Sequence, residues 1–381
     1  MLKKIICIMF VIIYCVNCFA VEDKKEDNLE LECPYAILME QSTNRVLYAK
    51  NERKKVKIAS TTKILTAIVA IENCDLEEKV TISKKAAYTG GSTVGIKAGS
   101  EVTLKSLMYG MLLKSGNDCA VAIAEHVGGS VENFVKMMNE KAYEIGAKDT
   151  ICSNPHGLDT DNNHSTAYDL ALITCYAKQN ETISKMLGTK SITVPFGSGS
   201  KYLANTNRLL FSNPYCDGGK TGFTNIANRC LVLTGKKDEM QVVAVVLGAE
   251  TTDKRFGAGN KLLNYAMDNY KMVNVRDKVH WYIDVPIIKG RDASYVKRVE
   301  ITHKLPLKDG EIEELYISQN IIPSITAPVK QNTYLGKIAL CIKEETLYEK
   351  NIYTDYAIEK NTVLDYMKKG FESIFFEEYL M

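Results

Sequence analysis

The stretch Lys57-Ile58-Ala59-Ser60-Thr61-Thr62-Lys63-Ile64-Leu65-Thr66-Ala67 decides how this 381-residue chain is read. Ser60 and Lys63 set a hydroxyl and an amine three residues apart, at the start of a predicted helix running from Ser60 to Asn73. Ile64, Leu65, Ile68 and Val69 form its apolar stripe. Side chains at i and i+3 share a helix face, so the amine can take the serine proton and activate a weak nucleophile. By itself the pattern is common: S-x-x-K recurs from Ser198 to Lys201 and from Ser294 to Lys297. The copy at Ser60 alone precedes both Ser115-Gly116-Asn117 and Lys220-Thr221-Gly222. S-x-N also recurs at Ser42 and Ser318, so the weight falls on the residues that flank the three motifs.

Working outward, Ala36 to Glu40 and Arg45 to Lys50 read as strands joined by the turn Gln41-Ser42-Thr43-Asn44. Helical periodicity dominates from about 100 to 190, over Leu104 to Leu113, Asp118 to Val127, Val131 to Ile145 and Ala167 to Lys178. Gly128-Gly129 and Asn154-Pro155-His156-Gly157 interrupt it. Strands return at Cys230 to Thr234 and Gln241 to Leu247, followed by a helix from Asp253 to Tyr270. This order predicts an α+β unit, one sheet with a helical subdomain inserted. Residues 273–356 read as a small β domain, with strands at Val279 to Val285, Tyr295 to Ile301, Glu313 to Ile317 and Leu335 to Ile342. Residues 357–381 end in a predicted amphipathic helix carrying Val363, Met367, Phe371, Ile374 and Phe375 on one side.

A hydrophobic fraction of 46% and a charged fraction of 25% are those of a globular chain. A net charge of +2 gives no electrostatic reason to expect nucleic acid as a partner. Lys3 and Lys4, the apolar run Ile5 to Val16 and the ending Cys18-Phe19-Ala20 predict a signal peptide over residues 1–20 and hence export. The eight later cysteines include no C-x-x-C and are predicted to be mostly buried free thiols. No H-E-x-x-H occurs, and His156 and His164 have no third ligand nearby, so no metal site is predicted.

The ordered triplet is a signature of active-site-serine penicillin-binding proteins and serine β-lactamases. Its flanks resemble more narrowly the low-molecular-mass D-alanyl-D-alanine carboxypeptidases, a family of penicillin-binding proteins. The resemblance rests on Lys57 to Ala67, on Leu112-Leu113-Lys114-Ser115-Gly116-Asn117-Asp118, and on Gly219-Lys220-Thr221-Gly222-Phe223-Thr224. Asn154-Pro155-His156-Gly157-Leu158 and His164-Ser165-Thr166-Ala167-Tyr168-Asp169-Leu170 resemble segments of that family rather than of β-lactamases. The resemblance is strong over 35–272 and looser beyond. It implies a serine β-lactamase/transpeptidase-like catalytic domain over 21–272, with the small all-β domain and the terminal helix behind it.

The resemblance also implies roles. Ser60 would attack the carbonyl between two terminal D-alanines of a peptidoglycan stem peptide, with Lys63 as general base. Ser115 would relay a proton to the leaving amine. Asn117 would hold the substrate amide and orient Lys63. Lys220 would be the second cation, Thr221 and Arg255 would hold the substrate carboxylate, and the Ser60 and Phe223 amides, beside Gly222, would form an oxyanion hole. β-Lactams would acylate Ser60. No metal or organic cofactor is required. His156 and Asp169 read as structural.

The family's terminal helix often lies on the outer face of the cytoplasmic membrane, and Phe371, Ile374, Phe375 and Phe376 supply an apolar surface here. Its lysines are outnumbered by Glu359, Asp365, Glu372, Glu377 and Glu378, so docking on the β domain competes with membrane association. The other functions in contention are a β-lactamase, a transpeptidase or endopeptidase, and a non-catalytic penicillin-sensing or wall-binding protein. Class A β-lactamases add an E-x-x-L-N loop, which is missing between Asn117 and Lys220.

Overall fold

The computed structural model describes residues 29–275, 280–368 and 371. The chain divides into Met1–Leu31 and Glu32–Met381. The predicted signal peptide lies outside the described residues, and all the elements named below belong to the second unit.

Strands β1 (Tyr35–Glu40), β2 (Val46–Lys50), β7 (Cys216–Thr224), β8 (Asn228–Lys237) and β9 (Met240–Ala249) form an antiparallel sheet in the order β2-β1-β9-β8-β7. Ile37, Met39, Cys230, Val232, Val243, Val245 and Leu247 join the core beneath the helices. Leu231 and Leu233 alternate with them and meet the opposite helix, where a Cβ on Gly259 would come within 3.0 Å and 2.5 Å of their side chains. Both faces are therefore covered, which is why Val242 to Leu247 reads as an unbroken apolar run rather than an alternating one.

Between β2 and β7 lie the helices α1 (Lys63–Asn73), α2 (Lys84–Ala87), α3 (Leu104–Leu113), α4 (Asn117–Gly128), α5 (Val131–Ile145), α6 (Ala167–Gln179), α7 (Glu181–Gly188) and α8 (Leu209–Ser212). Every residue of α1 from Lys63 to Ala70 is buried. Two short hairpins accompany them, β3 (Lys79–Thr81) with β4 (Glu101–Thr103), and β5 (Ser191–Phe196) with β6 (Gly199–Ala204). Helix α9 (Thr252–Asn269) follows β9 and packs on β8 and β9.

Between α9 and residue 360 the described residues form only short sheets. β10 (Lys271–Asn274) pairs with β13 (Lys304–Leu307); β11 (His280–Ile288) pairs with β12 (Ser294–Glu300) and β15 (Ile325–Thr326); β16 (Tyr334–Ile342) lies between β14 (Leu315–Ile321) and β17 (Glu345–Tyr353). They enclose a second apolar core around Val285, Tyr295, Leu305, Leu340 and Ile352. Of the terminal helix, residues 363–368 are helical; Ile374, Phe375 and Phe376 lie outside the described residues.

Three expectations are corrected. The helix predicted from Ser60 starts at Lys63, and Ser60 sits in a preceding 3₁₀ turn, Ala59–Thr62. Lys220-Thr221-Gly222, expected ahead of the strands, is inside β7. The β5–β6 hairpin and β17 add strands where the sequence predicts none. Glycines at 218, 219 and 222 hide β7, since they count against a strand by propensity but allow close approach of other backbone. The eight cysteines are free, and all but Cys74 are buried.

The β1–β2 turn is tied from within and from outside. The buried Glu40 carboxylate accepts from Ser42 N at 3.0 Å, Thr43 N at 2.9 Å and Thr43 Oγ1 at 2.6 Å. Arg45 then donates to Glu311 at 2.9 Å through Nη1 and Nη2, to Glu345 at 2.9 Å through Nη2 and at 3.0 Å through Nε, and to Pro306 O. This fork, buried at Arg45 and open to solvent at Glu345, joins the five-stranded sheet to the β-strand region. Removing one member of a buried ion pair strands the others. Arg45→Ala is expected to lower unfolding free energy by about 3 kcal/mol, against under about 0.5 kcal/mol for the exposed pair member Lys79→Ala, both read by urea denaturation.

Candidate active site

The 3₁₀ turn settles how Ser60 and Lys63 meet. Thr61 Oγ1 donates to Ile58 O at 2.7 Å and Thr62 Oγ1 to Ala59 O at 2.9 Å, closing the turn on itself. In a 3₁₀ helix residues i and i+3 eclipse, and Lys63 Nζ lies 2.7 Å from Ser60 Oγ. Of the other two S-x-x-K copies, Ser198 lies in the turn between β5 and β6 while Lys201 Nζ on β6 donates to Val94 O at 2.8 Å, and Ser294 and Lys297 both lie on β12. Along a strand, i and i+3 point to opposite faces.

Lys63 is completely buried. Its Nζ also donates to Asn117 Oδ1 and to His156 O, each at 2.7 Å. Burial first, then the charge of Lys220, holds its pKa well below the usual lysine range. A neutral amine has two N–H donors and one lone pair. Two of its three partners are pure acceptors, and the third is a hydroxyl able to donate. The donors match Asn117 Oδ1 and His156 O, which leaves the lone pair for the Ser60 O–H.

Asn117 opens α4 and is nearly buried. Its Nδ2 donates to Gly90 O at 2.8 Å and its backbone N to Ser92 O at 2.7 Å, so the amide is committed to the loop ahead of it. Ser115, just ahead of α4, has a left-handed backbone, φ 60°. Lys220 Nζ donates to Ser115 Oγ at 3.0 Å and to Thr221 O at 2.8 Å. Burial, helped by the Arg255 guanidinium, brings Lys220 from 10.5 down to about 7. Arg255 itself falls to about 10, chiefly through burial. Its Nη1 donates to Gly222 O at 3.3 Å, and its Nε is buried without a hydrogen-bond partner.

Thr221 Oγ1 lies 2.7 Å from Thr206 Oγ1. A Cβ on Gly222 would lie 3.0 Å from both Ser60 N and Ala59 Cβ, so the edge strand β7 runs against the Ser60 amide. Phe223 is half exposed, with the Arg229 guanidinium 4.9 Å from its ring centre. All nine residues singled out in the sequence therefore line one region where the 3₁₀ turn, α4, β7 and α9 converge.

Other contributors do not stand out in the sequence. Asp118, fully buried, accepts from Gly95 N at 2.8 Å, Val94 N at 3.0 Å and Ile96 N at 3.2 Å, fixing the loop that meets Asn117. The available signal is an acid in the first turn of a helix, behind a glycine-bearing loop. His156 acts on Lys63 through its carbonyl, and a backbone group leaves no trace in residue type. Burial, then the charge of Lys63, pushes the His156 ring from 6.5 to about 4. Gly157 has φ 85°, and a Cβ there would fall 1.9 Å from Ala59 O. Asp169 accepts from Asp149 N and Thr150 Oγ1, each at 2.8 Å, and so holds the segment leading to Asn154.

Comparison with known proteins gives a consistent picture. The peptidase S11 family, D-alanyl-D-alanine carboxypeptidase, matches residues 21–251. The chain is similar to D-alanyl-D-alanine carboxypeptidase DacF of Bacillus subtilis, 34% identical over 93% of each chain. It is similar in structure to penicillin binding protein 5 from Haemophilus influenzae, with TM-score 0.75, 25% identity, and coverage of 87% of this chain and 98% of that one. A D-alanyl-D-alanine carboxypeptidase from Mycobacterium tuberculosis matches over 62% of this chain and 91% of its own, with TM-score 0.59 and 29% identity.

The depressed lysine has a measurable consequence for stability. The folded chain gives up the Lys220 proton near pH 7, whereas the unfolded chain keeps it to about 10.5. Between those values the unfolded state binds more protons, so this residue makes stability rise with pH. Urea denaturation at about pH 6.5 and about pH 9.5 is expected to show Lys220→Met gaining on wild type at the lower pH and losing that advantage at the higher. A pH-independent difference between the two proteins would contradict a depressed Lys220.

Proposed function

The chain belongs to the D-alanyl-D-alanine carboxypeptidase family and is a serine-type carboxypeptidase of the low-molecular-mass penicillin-binding class, and from that premise we propose that Ser60 is its nucleophile and Lys63 its general base. The observation that carries this reading is the buried Lys63 amine, two of whose contacts are pure acceptors and whose third, at 2.7 Å, is Ser60 Oγ.

In the proposed cycle, a stem peptide ending in D-Ala-D-Ala lies along the edge of β7, its terminal carboxylate between Thr221 and Arg255. Ser60 Oγ bonds to the scissile carbonyl carbon as its proton passes to Lys63. The tetrahedral oxyanion is held by the amides of Ser60 and Phe223; losing one such donor typically costs ~2.7–4 kcal/mol. Ser115, hydrogen-bonded to Lys220, delivers a proton to the leaving D-alanine nitrogen as the C–N bond breaks and is reprotonated from Lys63, which returns that amine to its neutral form. Water then attacks the acyl ester and gives its proton to the same base, and Ser60 is regenerated. A β-lactam carbonyl enters by the same first step. Asn117 supports the cycle by orienting Lys63, its Nδ2 being already engaged by Gly90 O.

The same reading places the catalytic domain at 21–272, the small β domain at 273–356 and the terminal helix at 357–381, supported by the two separate apolar cores. It places the enzyme in the cell-wall space after removal of residues 1–20, with the terminal helix against the membrane. Exposure of Val363, Leu364, Met367 and Phe371 supports the last point. No described helix is long and apolar enough to cross a membrane.

Intact mass after benzylpenicillin is expected to show a long-lived adduct on wild type and none on Ser60→Ala. Lys63→Ala is expected to slow acylation by about 10²–10⁴-fold. An adduct that forms and vanishes within seconds would instead indicate a β-lactamase. Vesicle flotation is expected to carry the full chain and to leave behind a chain lacking 357–381; equal flotation of both would remove the anchor.

A further inference from the structure

Away from the catalytic cleft, three side chains of metal-binding type converge: Cys74, Glu78 and His126. Cys74 closes the C-terminal end of α1, Glu78 ends the turn before β3, and His126 lies in the last turn of α4. Their Sγ, carboxylate oxygen and imidazole nitrogen all lie within 4.8 Å of one another. The site is partly open, with His126 and Glu78 side chains 25% and 44% exposed. It is also partly built. Glu78 Oε1 accepts from Asp75 N at 2.8 Å, which orients the carboxylate so that Oε2 meets His126 Nε2 at 2.9 Å. Cys74 is the one thiol among the eight described that is not buried.

We propose that these residues bind a zinc-type divalent cation, with solvent in the fourth position. A thiolate, an imidazole and a carboxylate form a donor set suited to zinc, whereas calcium and magnesium favour oxygen ligands alone. Ligand atoms around tetrahedral zinc lie about 3.5 Å apart, so small rotamer changes that part Glu78 from His126 and draw in Cys74 would admit the ion. Spacing along the chain offers no warning because the ligands do not follow a compact zinc motif: C-x₃-E lies on one segment, and the histidine comes far downstream.

The placement assigns the ion a bracing role. α1 begins with Lys63 and α4 with Asn117, which meet at 2.7 Å in the cleft. Cys74 and His126 join the other ends of the same two helices, about 15 Å away along the helix axes. A bound ion would fix the relative position of the helices that carry the general base and its orienting amide.

The test uses the full chain freed of metal by a chelator and then dialysed against micromolar zinc chloride, with metal content measured by mass spectrometry. Wild type is expected to retain one equivalent and to melt at higher temperature as zinc is raised. Cys74→Ser and His126→Ala should each bind at least about tenfold more weakly, with far-ultraviolet circular dichroism confirming that both are folded. Cobalt in place of zinc should give wild type a thiolate-to-metal charge-transfer band that Cys74→Ser lacks. Failure of wild type to retain zinc, undiminished retention by both variants, or a cobalt spectrum without the thiolate band would each overturn the proposal. None of these readouts depends on carboxypeptidase activity.

Discussion

The catalytic region is organised around a lysine that water cannot reach. An ammonium group buried at Lys63 would be costly, and the surrounding geometry suits the neutral amine instead. Its partners come from three separate segments: the 3₁₀ turn at Ser60, the start of α4 at Asn117 and the carbonyl of His156. Holding all three within hydrogen-bond reach requires α1, α4 and the 154–158 segment to pack without a gap. Thr66 Oγ1 donating to Pro155 O at 2.6 Å and Asn154 Oδ1 accepting from Gly157 N at 2.7 Å lock that segment against α1. The close fit leaves no room for a side chain at Gly157.

A second constraint follows from the first. Lys220 acts on Lys63 and Arg255 acts on Lys220, and neither side chain is matched by an ion pair among the described contacts. The Lys220 charge opposes protonation of Lys63, the Arg255 charge opposes protonation of Lys220, and positive charge here would favour an anionic ligand. The backbone adds to the cost of this arrangement. Ala59 and Ser115, neither a glycine, have left-handed φ of 48° and 60°. Such residues cost on the order of 1–3 kcal/mol each and persist only where their surroundings fix them. Here the surroundings are buried helices on one side and a strand edge on the other.

The β-strand region depends on a different interaction. Arg45 reaches from the start of β2 to Glu311, Glu345 and Pro306 O, so one guanidinium serves three segments beyond residue 300. Sequence spacing gives no hint of it, since the partners are more than 260 positions away. Arginine suits the task because its planar fork donates to two carboxylates and a carbonyl at once.

Much of the architecture is legible in the chain. α3 and α5 fall where their periodicity places them, and β9 follows the apolar run at 242–247. The three motifs can be read because each keeps its chemistry within four residues. The rest is hidden for physical reasons. β7 is hard to read as a strand because its glycines serve contacts with Ala59, Ser60 and Val232 rather than strand propensity. Asp118 looks like an ordinary helix-start acid because its partners are backbone amides. The Cys74–Glu78–His126 cluster is invisible because its members meet only when α1 and α4 lie side by side. The sequence alone determined which residues could perform the chemistry, because residue type carries nucleophile, base and cation directly. Only the tertiary structure decided that the amine beside Ser60 is buried and its pKa depressed, because that depends on packing and on a carbonyl from a distant segment, neither of which residue type records.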